Sequence, residues 1–178
     1  PRIVRGQLLR SVTSGYKILD LWSDGTLIFI APGDTEFLSW PKPLEDGSLC
    51  INPLTLAESS YLFAELSRQV YDIARPSSRK VQYRLEIRNM SVSNRPSIIV
   101  PASLKSNDWS FKIHKYPAPD SGKFLSLFWE GESIEPGEVA FGLVKQLYEW
   151  FGIEHEKIPY TKSDSGRMVI DPEKIKDD

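Results

Sequence analysis

Cysteine is almost missing from this chain. Cys50 is the only one in 178 residues, which excludes an internal disulfide and argues against a thiolate-rich metal site. Histidine is nearly as scarce. With only His114 and His155, a bound metal would need carboxylates for almost every ligand. No apolar run approaches the roughly 18 residues of a membrane-spanning helix, and no secretory signal opens the chain. The motifs of common chemistries are absent too: there is no phosphate-binding GxxxxGKS/T, no GxGxxG, no HExxH, no paired CxxC and no GxSxG. These absences predict a protein that is not an enzyme, holds no cofactor and no metal, has no membrane partner and works in the cytoplasm.

The remaining composition is that of a globular protein. Hydrophobic residues make up 40% and charged residues 26%, with a net charge of −2, which gives no overall pull toward nucleic acid or membranes. The length suits one domain, or two small ones closely packed. The first residue is Pro1, and the expectation is of a piece cut from a longer protein. Cys50, in GSLCINP, has apolar neighbours and no nearby histidine, so it reads as a packing residue rather than a reactive thiol.

The stretch YKILDLWSDGTLIF (16–29) reads as a β-hairpin. Asp24-Gly25 favours a type I′ turn, and apolar residues on both faces predict cover on both sides. The connection PKPLEDGSLCINP (41–53) is rich in turn formers. Pro53 suits the first turn of a helix, and Leu62, Phe63, Leu66, Val70 and Ile73 then recur at helical spacing until Pro76. KVQYRLEIRNM alternates strictly, so Val81, Tyr83, Leu85 and Ile87 form a dry face and Lys80, Gln82, Arg84, Glu86 and Arg88 a wet one. SIIVP, WSFKIHKY and KFLSLFWEG are further strands. A second helix runs from about Glu135 to Phe151, burying Ala140, Leu143, Val144, Leu147 and Phe151, with Gly152 closing it.

Strands bunch together instead of alternating with helices. The fold predicted is therefore α+β, a mostly antiparallel sheet of about five to seven strands packed with two main helices. Residues 1–152 read as a single domain, and 153–178 as a polar C-terminal extension, partly flexible. The stretch FLSLFWEGESI partly echoes the first hairpin and raises a duplicated unit. Unequal spacing to the following helix argues against it.

Candidate chemistry is thin. His114 and His155 read as surface or capping residues rather than as bases or ligands. Asp34/Glu36, Glu45/Asp46 and Glu130/Glu132 read as solvated turn carboxylates, because acid–base work needs one pKa driven away from the other by burial. The signal above background is charge asymmetry. Residues 75–115 carry nine basic side chains against two acidic ones, +7 locally against −9 over the rest. Arg79, Lys80, Arg84, Arg88, Lys112 and Lys115 are the candidate nucleic-acid or anion-binding set, with aromatics nearby for stacking. The alternative is that these bases are compensated by the acidic C-terminal helix and its flanks. Trp40 and Trp109 are candidate interface anchors.

Taken in order, LDLWSDGTLIF, the long helix, YRLEIRN and LSLFWEGESIEPGEVAFGLVKQLYEWFGI resemble the region that follows the AlbA_2 (Schlafen-type) nucleic-acid-binding domain in some bacterial proteins. The resemblance implies an accessory domain of a bacterial DNA-binding or defence-associated protein. The AlbA_2 core, with its glutamate-bearing strand, is not among these motifs, so no functional residue is carried over. The reading that follows is a non-catalytic interaction or regulatory domain. Its partner would be another protein, the rest of its own chain or a second copy, with nucleic-acid binding through residues 75–115 as the alternative.

Overall fold

The computed structural model of the chain describes residues 7–13, 17–40, 50–74, 80–88, 91–92, 95–99, 116–119 and 124–176. The first unit is a three-stranded antiparallel sheet of β1 (Gln7–Thr13), β2 (Lys17–Trp22) and β3 (Leu27–Ile30), in that order. The hairpin between β2 and β3 stands where expected, but its turn differs. Only Gly25 takes a positive φ, +88°. Trp22 N–H donates to Thr26 O at 2.9 Å, and Gly25 N–H to Trp22 O at 3.1 Å. Asp24 stays right-handed because its carboxylate accepts the Thr26 N–H at 2.9 Å. That bond replaces the left-handed backbone a type I′ turn would require.

Next come β4 (Cys50–Ile51) and α1 (Pro53–Ala74). Asn52 caps α1, its side-chain oxygen accepting the Leu54 N–H at 3.0 Å, and Pro53 occupies the first turn as predicted. Then follow β5 (Val81–Arg88), β6 (Ser91–Val92), β7 (Arg95–Pro96), β8 (Ile98–Ile99), β9 (Tyr116–Pro117) and β10 (Phe124–Gly131). The predicted WSFKIHKY strand lies outside the described residues except for Tyr116. After β10 come α2 (Pro136–Trp150), a 3₁₀ turn (His155–Lys157), β11 (Thr161–Asp164), β12 (Arg167–Ile170) and the short α3 (Pro172–Lys176).

The class is α+β, but the single sheet of five to seven strands is not there. Among the described residues the strands form small sheets: β1–β2–β3, β4–β8–β9, and the pairs β5–β10, β6–β7 and β11–β12. All pairings are antiparallel except β4 with β8. Proline explains much of the fragmentation. Pro96 and Pro117 lie inside two-residue strands, where each withholds the N–H a longer ladder would need.

The core lies where α1, α2 and the β5–β10 ribbon meet, with Leu56, Ala57, Ala64, Tyr83, Leu127 and the buried side of α2. Every α2 residue expected to be buried is buried. Gly152, at φ +72°, ends the helix. The Ile153 N–H reaches Tyr148 O at 2.8 Å and the Gly152 N–H reaches Glu149 O at 3.0 Å, a Schellman closure. That closure turns the chain back onto the core. Ile153, Ile158, Tyr160 and Ile170 join the core cluster, which corrects the reading of 153–178 as a polar extension. Their spacing within a hairpin and a 3₁₀ turn shows no helical or long-strand periodicity to betray it.

The echo proves to be no second hairpin. Trp129–Gly131 lies within β10, paired to Tyr83–Val81. Trp129 packs edge-on to Tyr83, at 5.7 Å between ring centres. A Cβ on Gly142 of α2 would stand 2.7 Å from the indole Cδ1, and one on Gly131 would overlap the ring. Bare backbone on two sides thus makes the slot for Trp129.

Candidate interaction surface

The ribbon places the predicted basic residues on its outer face. Its register sets Gln82 opposite Glu130, Arg84 opposite Phe128 and Glu86 opposite Ser126, and opposed residues share a face. Of the predicted set, Lys80, Arg84 and Arg88 are described; Arg79, Lys112, Lys115 and Trp109 lie outside the described residues. The three are matched by acids of the ribbon itself rather than by α2. Arg84 Nε meets Glu86 at 2.8 Å and Ser126 Oγ at 3.1 Å; Arg88 meets Glu86 at 2.9 Å. Lys80 stands 3.5 Å from Glu130, which also accepts the Gln82 amide at 2.9 Å. The Arg88 hydrogen bond, helped by the charges of both arginines, holds the Glu86 carboxyl below its ordinary range. The Gln82 and Lys80 contacts do the same for Glu130. Glu130 is thereby a strand residue with partners, not a solvated turn carboxylate. Phe128, 51% exposed, sits among these charges.

The two edges of the ribbon differ. On β10, the Gln146 side chain of α2 acts as a short substitute strand. Its amide donates to Phe128 O at 2.8 Å, and its carbonyl accepts the Phe128 N–H at 3.2 Å. On β5, among the described residues, no strand pairs with the edge turned away from β10.

An apolar stripe lies on α1. The helix buries Pro53, Leu56, Ala57, Ser60 and Ala64, mostly small residues, on the side that packs with α2. At 3.6 residues per turn, Leu62, Leu66 and Ile73 fall roughly on the opposite side. Leu62 is 60% exposed and Ile73 85%. Of the series that marked the helix in the sequence, Leu62 and Ile73 therefore face away from this chain's own core, while Phe63 packs against it. Phe63 and Val70 lie between the two sides, and Phe63 touches Tyr83 of β5 at 6.3 Å between ring centres.

A second apolar surface lies on β1–β3, where register brings Val12, Ile18 and Ile30 into one row. Val12 is 60% and Ile30 51% exposed. On the other face Phe37 lies 5.8 Å from the Phe29 ring, with the Lys17 ammonium 4.9 Å over it, but Phe29 stays 38% exposed, so the predicted cover on both sides is not found. Trp40 is half-buried, with its N–H bonded to Cys50 O at 2.9 Å. That bond makes it part of the packing beside β4. Cys50 is buried, as expected.

Among the described residues no group of His, Cys, Asp and Glu is arranged to hold a metal ion. His155 lies beside Glu156 at 3.2 Å and edge-on to Phe141; His114 falls outside the described residues. No helix is long and apolar enough to cross a membrane among them either. No protein-family model, curated protein or solved structure matches this chain, so the likeness to the Schlafen-type region rests on the quoted motifs alone.

Proposed function

We propose that this chain is a non-catalytic accessory domain that docks another protein through the α1 stripe and the β5 edge. The observation that carries the reading is the two-sidedness of α1. Leu56 and the small residues Ala57, Ser60 and Ala64 serve the core, while Leu62 and Ile73 are left to solvent. Burying either in an interface is worth about 1.5–3 kcal/mol. The β5 edge, which no described strand pairs, adds directional hydrogen bonds, which an apolar strip alone lacks.

The nucleic-acid reading draws less support, because the described bases of that set already meet Glu86 and Glu130. The test is capture from a lysate of the source cells by immobilised chain, against the Leu62→Glu/Ile73→Glu variant. The expected result is at least one bound protein, a second copy included, that the variant loses. Equal capture by both, or none by a strictly monomeric wild type, overturns the reading.

A further inference from the structure

We infer that the partner on this surface is a second copy of the same chain, joined edge to edge through β5 about a two-fold axis at Leu85. The inference rests on the docking reading above and adds the occupant. Antiparallel pairing must keep dry residues opposite dry ones, so an axis has to pass through a residue rather than between two.

The charges then choose the residue. An axis at Arg84 would oppose Arg84 to its own copy and Lys80 to Arg88. An axis at Glu86 would oppose Glu86 to itself and Arg84 to Arg88. Like charges directly opposite are unfavourable. An axis at Tyr83 pairs only 81–85 within the strand.

An axis at Leu85 pairs 82–88 and sets Arg84 of each copy against Glu86 of the other. Each arginine already holds its own Glu86 at 2.8 Å, so the four groups close a ring of alternating charge on the wet face. On the dry face Leu85 meets Leu85, and Tyr83 meets Ile87. Both α1 helices lie under the joined four-stranded sheet on the same side. One pairing thus covers, in both copies, the β5 edge that no described strand occupies.

Sedimentation velocity of the pure chain over a concentration series tests this. The wild type is expected to shift from monomer to dimer. Arg84→Glu places two acidic pairs across the axis and weakens dimerisation by about tenfold or more. Arg84→Glu/Glu86→Arg restores it, because the alternation returns. Arg84 is exposed and Glu86 half-buried, and circular dichroism checks that each variant folds. A second measurement uses Leu85→Cys. The two-fold brings its Cα atoms to about 4.5–5.5 Å, within disulfide range, so mild oxidation should link two chains, whereas Ser126→Cys should not. A wild type that stays monomeric, a dimer indifferent to Arg84→Glu, or a swap that fails to restore pairing overturns the inference. If the wild type is monomeric yet captures a different protein through Leu62 and Ile73, the docking reading stands and only its occupant is wrong.

Discussion

Tyr148 shows how a single residue can be both central and badly served. It is fully buried on α2, and its hydroxyl has no hydrogen-bond partner among the described residues. A buried, unpaired hydroxyl costs on the order of 1–3 kcal/mol. Tyr148→Phe is therefore expected to stabilise the fold by about 1 kcal/mol, read as a higher urea midpoint. Burial also pushes its pKa well above the ordinary 10.0. The folded state keeps this proton when the unfolded chain releases it, so stability is intact below pH 10 and declines above it. In Tyr148→Phe that part of the alkaline decline should vanish; an unchanged alkaline profile would show that the hydroxyl finds a partner. Nothing in the sequence marked this residue. Tyr148 neighbours Leu147 on an amphipathic helix, and a tyrosine at such a border reads equally well as half-wet.

Among the elements, the β5–β10 ribbon has the plainest electrostatics. Glu86 and Glu130 both have carboxyls held low by their partners. The stability they supply is present above their ordinary value of 4.5 and is lost as pH falls through the lower folded values. Acid titration of the folded chain should show this loss, and Glu86→Gln should flatten it. High salt should shrink the difference, because Glu130 is exposed and Glu86 only partly buried, so solvent ions screen both. The elements also show what was legible in advance. The alternation of Val81–Arg88, the proline and apolar spacing of both helices, and Asp24-Gly25 as a turn all appear where the sequence placed them. Local rules fix such features. Which face of α1 would be buried did not follow, because its large residues outbid Ala57, Ser60 and Ala64 in any hydrophobic count. Close approach to α2 favours the small ones instead, and that preference depends on a partner far away in sequence.

At the scale of the whole molecule, the separate sheets follow from pairings that no local pattern dictates. β4 and β8 are two residues each and join across a long separation, and the chain beyond Gly152 returns to the core through a closure at one glycine. The docking surface was only half visible for the same reason: the residues were read correctly as apolar or charged, but not which of them the fold would leave outside. The ribbon's two unlike edges have a consequence for growth. Among the described residues one edge has no strand partner, and the other is already occupied by Gln146, so the ribbon has a valence of one. Pairing through β5 uses that valence up, and assembly stops at two copies instead of propagating into a fibre. Gln146→Ala would raise the valence to two by freeing the Phe128 backbone. Light scattering should then record a size that climbs with concentration and time, where the unaltered chain levels off; a plateau at two copies in both would mean that something other than Gln146 guards that edge.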